Sequence, residues 1–333
     1  MTALAAPATL HLVGPGRVGR SFLRQLAPLP VRVVAVSDST ATVFARDGLP
    51  VAALCAHKDA GRPLADLPGA ERIPVEVALR VVAADVVADA TPTREAEADA
   101  AVARALLALR LGGRIVLSAK NALAAASTTL LHGPYRDRVG VDAVLGGAGA
   151  GLAADLPDLR ACCAGLALVG NVTTTVLVQA FERGLSVAEG LADAQARGLF
   201  EPDPTLDLDG SDAATKLRAV WGAVFGAAGS PLPSAADVAR EDVRALDVGV
   251  LRARAARGAT TRLVGRGDRA GNLRVRFEEL PVDSPLAVAS DRVAYGFELP
   301  DGLRVHIGFG VGHDQTAAAM VRDVARVLAA APV

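Results

Sequence analysis

The sequence predicts an α/β fold, and three observations predict it. Short apolar runs suited to buried parallel strands alternate with helical patterns through the first third of the chain. The first strand-to-helix turn reads Gly14-Pro15-Gly16-Arg17-Val18-Gly19, and Asp38 closes the second strand about twenty residues after those glycines. Later the pattern changes: β-like runs at 260–264, 273–280, 292–299 and 303–309 follow one another, as in a mixed sheet. Together these give a Rossmann nucleotide-binding domain plus a second, mixed α+β domain. The expected boundaries are 1–135, completed by 308–333, and 136–307.

Composition narrows the function classes. A chain of 333 residues, half of them apolar, can bury one large or two ordinary cores. With 35 basic and 36 acidic residues, nothing draws it to nucleic acid or an anionic membrane. No apolar run reaches the roughly 18 residues that span a bilayer, and residues 1–10 lack the basic start of a signal peptide. Cys55, Cys162 and Cys163 are odd in number and include a vicinal pair, so they form neither a disulfide framework nor a metal spacing. A reducing, cytoplasmic setting fits them.

The first strand is 9–14, and the glycines follow it. Gly14 permits the tight turn, Gly16 lets the backbone approach a pyrophosphate, and Gly19 lets helix and strand pack closely. The helix N-terminus at Arg17 and Val18 offers free N–H groups to phosphate. The second strand, 31–36, ends at Ser37-Asp38-Ser39, where an acid is placed to bind ribose hydroxyls. The absence of a basic residue directly after Asp38 leans towards NAD, while Arg46 and Lys58 keep NADP open. A helix starts at 74–80. A strand over 84–90 leads to Thr91-Pro92-Thr93, a helix over 97–110 follows, and 114–118 is another strand, ending at Ser118. Lys120 then stands just past a strand's carboxyl end, where a general acid–base group belongs.

Glu201, Asp203, Asp207, Asp209 and Asp212 crowd the next informative stretch. Such a run must lie at a surface or line a polar cleft. Asp212 and Lys216 are four apart, so with Ser211 as cap they share a helical face. The same helix, 212–226, carries Ala213, Ala214, Leu217 and Val220 to a core. A further helix is expected over 235–245. His306 is expected to pack or bond within the sheet, and the last helix spans 316–328.

The order Glu-Pro-Asp-Pro-x-x-Asp-x-x-Gly-x-Asp-x-x-x-Lys-Leu from Glu201 to Leu217 resembles the substrate-site segment of homoserine dehydrogenases. Residues 184–200, the Thr91-Pro92-Thr93 turn, and the Gly-rich stretches 139–152 and 308–312 are similar to that family too, so the resemblance runs from about residue 9 to 328. It implies hydride transfer between L-homoserine and L-aspartate 4-semialdehyde with NAD or NADP, in threonine and methionine biosynthesis, by a homodimer. The chain has the short form, with no regulatory domain expected.

By resemblance, Lys120, Lys216 and Asp212 are catalytic, while Glu201, Asp207, Asn171 and Thr173 bind substrate. Thr91, Pro92, Ser118 and Gly312 join Gly14, Gly16, Arg17, Val18, Gly19 and Asp38 around the cofactor. Backbone carbonyls of Asp142, Leu145, Gly147 and Gly149 are implied to hold Na+ or K+. Residues 136–150 and 260–307 are implied to share a subunit-pairing sheet. The chain departs from the family at Lys120-Asn121, where the usual order is Asn-Lys, and at Gly170-Asn171-Val172, usually Asn-Gly-Thr. These departures leave room for another small amino or hydroxy acid, or for a non-catalytic dinucleotide-binding homologue.

Overall fold

The computed structural model describes residues 6–145, 149–196, 205–310 and 312–330. The chain divides into two units, 1–145 with 312–333, and 146–311.

The first unit opens with β1 (Ala8–Val13), α1 (Arg17–Gln25), β2 (Val31–Ser37), β3 (Thr42–Phe44), α2 (Val51–Asp59), α3 (Val75–Val82), β4 (Val86–Asp89), α4 (Ala98–Arg110), β5 (Arg114–Leu117), α5 (Asn121–Leu130) and β6 (Val139–Gly140). The sheet order is β3-β2-β1-β4-β5-β6. All pairings are parallel except β2 with β3. The chain runs outward from β1 to β3 and returns on the other side at β4. The order therefore reverses between β1 and β4, the place where open α/β sheets bind ligands beyond their carboxyl ends. Leu10, Leu12, Val86, Ala88 and Val116 fill the sheet with aliphatic bulk, against Phe22 and Leu23 of α1.

The second unit holds α6 (Gly149–Cys162), β7 (Gly165–Val169), α7 (Val172–Glu182), α8 (Val187–Ala196), α9 (Thr205–Leu208), α10 (Ser211–Val224), β8 (Ala239–Arg240), α11 (Val248–Ala256), β9 (Ala259–Asp268), β10 (Leu273–Pro281), β11 (Arg292–Leu299) and β12 (Gly302–Phe309). Its sheet runs β12-β11-β7-β9-β10-β8, antiparallel except where β10 meets β8. The last helix, α12 (His313–Ala329), returns to the first unit, where Ala317, Met320, Val324 and Val327 join the core of Leu10 and Phe22.

Three local expectations are corrected. Residues 235–245 are not a helix: two single 3-10 turns flank β8. Ser234 and Asp242 accept from the backbone N–H two residues on, a local bond that competes with helix continuation. Ser211 does not cap α10; Gly210, at φ 79°, occupies the cap, and Ser211 is the first helical residue. Val139–Gly140 pairs with β5 in the first sheet, not with the strands of 260–307.

Candidate active site

In the first unit the glycine turn is built as its sequence demands. A Cβ on Gly14 (φ +89°) would lie 2.8 Å from the Ala90 carbonyl and the Thr91 nitrogen, and one on Gly19 would lie 2.3 Å from the Gly14 oxygen. Larger residues are thus barred, and the close approach presses the β1 turn against the start of the 91–93 turn. Gly16 faces open space and caps α1 without any side-chain bond to the helix. Arg17 and Val18 form the first helical turn. The exposed N–H groups and the absence of a Cβ make a cradle that fits a dinucleotide pyrophosphate.

Asp38 stands past β2 as expected, with its carboxylate heavily engaged. Oδ1 accepts from Thr40 N at 2.8 Å, Thr40 Oγ1 at 2.6 Å and Ala41 N at 3.2 Å; Oδ2 accepts from Lys58 Nζ at 2.7 Å and Leu64 N at 3.0 Å. Burial opposes ionisation, but the bonds from Lys58, Thr40 and Leu64 outweigh it and bring the pKa down to about 2. Lys58 is twenty residues away on α2, so no local pattern marked the pair. Behind it, buried His11 bonds Ser37 Oγ at 2.7 Å, and Ser37 bonds Thr42. Burial lowers the His11 pKa to about 4.

At the end of β4, Asp89 Oδ1 accepts from Thr91 N at 3.0 Å and Thr91 Oγ1 at 2.6 Å. Its Oδ2 meets Arg104 of α4 through Nε at 3.1 Å and a terminal nitrogen at 3.0 Å. Neither Asp89 nor Arg104 was singled out in the sequence; they are fifteen residues apart on different elements. Ser118 donates to the Asp89 carbonyl from its backbone N–H at 3.0 Å. The exchanged pair resolves into two roles. Asn121 is buried and its amide reaches the Pro92 carbonyl at 3.4 Å, whereas half-buried Lys120 caps α5, its N–H 3.4 Å from Thr93 Oγ1.

Asp142 is buried beside Asp323 of α12, whose Oδ2 accepts from the Asp142 N–H at 2.7 Å. Burial, and then the Asp142 charge, push the Asp323 pKa up to about 7. Leu145 is buried and Gly149 opens α6; Gly147 lies outside the described residues. Among the described residues no group of three acidic, His or Cys side chains is placed to hold a metal. Gly312 precedes α12 at φ +116°.

The second unit gathers most of the expected substrate residues. Asn171 caps α7, its Oδ1 accepting from Thr174 N at 2.9 Å. Its amide nitrogen donates to Asp207 Oδ1 at 2.8 Å and Asp212 Oδ2 at 3.2 Å. Lys216 Nζ lies 3.3 Å from Asp212 Oδ2 and donates to the Gly170 carbonyl. β7, α7, α9 and α10 thus converge on one polar cluster with two carboxylates, an amide and an amine. Thr173 is buried on the first turn of α7. Glu201 lies outside the described residues. His306 faces Asp155 of α6 at 3.1 Å, within the unit's own packing.

The family described as homoserine dehydrogenase matches residues 163–325, and that described as glutamate/leucine/phenylalanine/valine dehydrogenase matches 4–117. An NAD(+)-dependent homoserine dehydrogenase of Pseudomonas canavaninivorans is 26% identical over 96% of this chain and 95% of its own length. A structure from Archaeoglobus fulgidus, assigned as a homoserine dehydrogenase, superposes with TM-score 0.80 at 24% identity, covering 95% of this chain and 98% of that one. A hyperthermophilic archaeal homoserine dehydrogenase in complex with NADPH gives 0.78 at 19%, covering 96% and 97%.

Proposed function

We propose that this chain, whose residues 163–325 match the homoserine dehydrogenase family and which is 26% identical to an NAD(+)-dependent homoserine dehydrogenase, interconverts L-homoserine and L-aspartate 4-semialdehyde with a nicotinamide cofactor. The observation that carries this is the cluster of Asn171, Asp207, Asp212 and Lys216, in which Asn171 serves two acids while capping a helix. The carboxylates, with Glu201, suit a substrate ammonium. In this reading Lys216, steadied by Asp212 and the Gly170 carbonyl, holds the hydroxyl or carbonyl oxygen in register. Oxidation takes a hydride from C4 and a proton from its hydroxyl, and the amine of Lys120 receives that proton. When bound, the nicotinamide accepts or returns the hydride.

The cofactor's pyrophosphate would rest on Gly14, Gly16 and the N-terminus of α1, with Gly19 behind. The adenosine ribose would lie near Asp38, and the nicotinamide would lie near Thr91, Pro92 and Ser118. We assign nucleotide binding to the first unit, 1–145 with 312–333, and substrate binding and dimerisation to the second, 146–311. A monovalent cation on the carbonyls of Asp142, Leu145, Gly147 and Gly149 completes the reading. Its support is the buried Asp142 Oδ1, which has no hydrogen-bond partner among the described residues; turnover that ignores added Na+ and K+ would remove it.

A homodimer is also part of the proposal. On β12, Leu303, Ile307 and Phe309 point to one face of the sheet, with Leu303 48% and Ile307 51% exposed, an apolar stripe suited to a second copy. The three unbridged cysteines suit a reducing cytoplasm.

The decisive experiment follows absorbance at 340 nm with L-homoserine and either NAD or NADP at alkaline pH. Reduction that Lys216→Ala abolishes supports the reading. No reduction by a protein that still binds the dinucleotide would overturn it.

A further inference from the structure

The strand order β2-β1-β4 lays out a dinucleotide by position. With the pyrophosphate at the β1 turn and the adenosine ribose past β2, the nicotinamide half falls past β4, over the 91–93 turn. Gly14 abuts Ala90 and Thr91, so this turn borders the cofactor cradle directly. Much of what holds the turn comes from side chains. Thr91 Oγ1 donates to Asp89 Oδ1 at 2.6 Å and accepts from Arg104 at 3.3 Å, so its hydroxyl has no remaining freedom to rotate. Arg104 also grips Asp89 Oδ2 with two nitrogens. Asp89 is 2% and Arg104 9% exposed, so the planar fork and its carboxylate act at close quarters and out of water. On the far side, the turn meets the start of α5 through Thr93 with Lys120 N–H and Pro92 with Asn121.

We propose that Arg104 is a positioning residue which, through Asp89 and Thr91, fixes the 91–93 turn and the Lys120 backbone against the nicotinamide half of the cofactor. This rests on the cofactor reading above. Arg104 itself sits on α4 behind the turn and touches no reacting atom; its effect passes through Thr91. Lysine in its place keeps the charge but loses the fork, since one ammonium cannot grip Asp89 from two nitrogens in a fixed plane while reaching Thr91.

The test is a double-mutant cycle in the full chain with Arg104→Lys and Thr91→Val. Each single variant is expected to lower kcat about tenfold or more, with homoserine KM within about threefold, as misplacement without lost binding does. The double variant should be no slower than the worse single one, because both act on one turn. Unchanged kcat in Arg104→Lys, or fully multiplicative losses, would overturn the proposal even if melting temperatures fall. If wild-type protein oxidises no homoserine, the function reading fails separately. The proposal is then read from the fluorescence of bound NADH or NADPH: an emission shift in both variants at unchanged affinity supports it, and wild-type emission sinks it.

Discussion

Asp212 and Lys216 sit one turn apart on α10, with Lys216 Nζ 3.3 Å from Asp212 Oδ2 and the side chains only 16% and 13% exposed. Most pairs at this spacing are solvated and add little. This one is half enclosed, shares Asp212 with Asn171, and lends its amine to the Gly170 carbonyl. Lys216→Met is therefore expected to reduce kcat about a hundredfold or more while cofactor affinity holds within about twofold, since on the proposed reading it removes the charged group that would orient the reacting oxygen. Steady-state kinetics beside calorimetric titration of NADPH would check this; equal losses in both would contradict it.

Asn171 bridges helix and acids at once. Asn171→Ala removes the α7 cap, which costs about 1 kcal/mol, and leaves Asp207 and Asp212 without their shared donor. Urea unfolding should show that loss, and homoserine KM should rise about tenfold by the scale of one lost polar contact. Asn171→Asp should restore the cap but not KM, because a third carboxylate then faces two others.

Lys58 covers the charge of Asp38. With Lys58→Ala, a 2′-phosphate would meet an uncompensated carboxylate, so kcat/KM for NADP should fall at least about tenfold relative to NAD, the size of one lost charge-assisted bond. Parallel assays with the two cofactors decide it, and a ratio unchanged by the substitution would count against Asp38 lying near the ribose.

His11 imposes a pH dependence on stability. Its pKa drops from 6.5 to about 4 in the folded chain because burial disfavours the cation. Below pH 6.5 the unfolded chain binds a proton that the folded one refuses, so stability falls with acid and levels off near pH 4. At about 1.4 kcal/mol per pH unit, the total approaches ~3 kcal/mol. Urea titrations at pH 7 and pH 4.5 should show a drop that is smaller in His11→Gln, which keeps a polar partner for Ser37 and cannot titrate there.

The exposed stripe on β12 predicts an association defect. Ile307→Lys should shift the particle mass measured by light scattering from twice the chain mass to once. A monomeric wild type would remove the proposal outright.

What was legible in the sequence was local. The β1 glycines announced themselves because a strand, a positive-φ turn and a helix start lie within a few residues. The acidic stretch did so because Asp212 and Lys216 fall at helical spacing on α10, with Asp207 just upstream on α9. Hidden were the pairings closed by tertiary contact: Lys58 with Asp38, Arg104 with Asp89, and Asp142 with Asp323. No spacing rule relates such positions, since the fold alone sets the distance between them. The stretch 235–245 misled for the opposite reason. Its Ala-rich composition favours a helix, but Ser234 and Asp242 turn their oxygens to nearby N–H groups and break the run.

The long excursion from residue 146 to 311 falls between two parts of the first unit. Met320, Val324 and Val327 of α12 fill the same core as Leu10 and Phe22, yet leave the ribosome some three hundred residues after them. During synthesis the β1 side of the nucleotide sheet thus waits, its oil uncovered, for α12 to arrive. Chains stalled on the ribosome before residue 313 should bind hydrophobic dyes and chaperones and retain no dinucleotide, whereas tight dinucleotide binding by such chains would refute this order. The growing polypeptide becomes competent for a dinucleotide only once α12 has emerged to close that core.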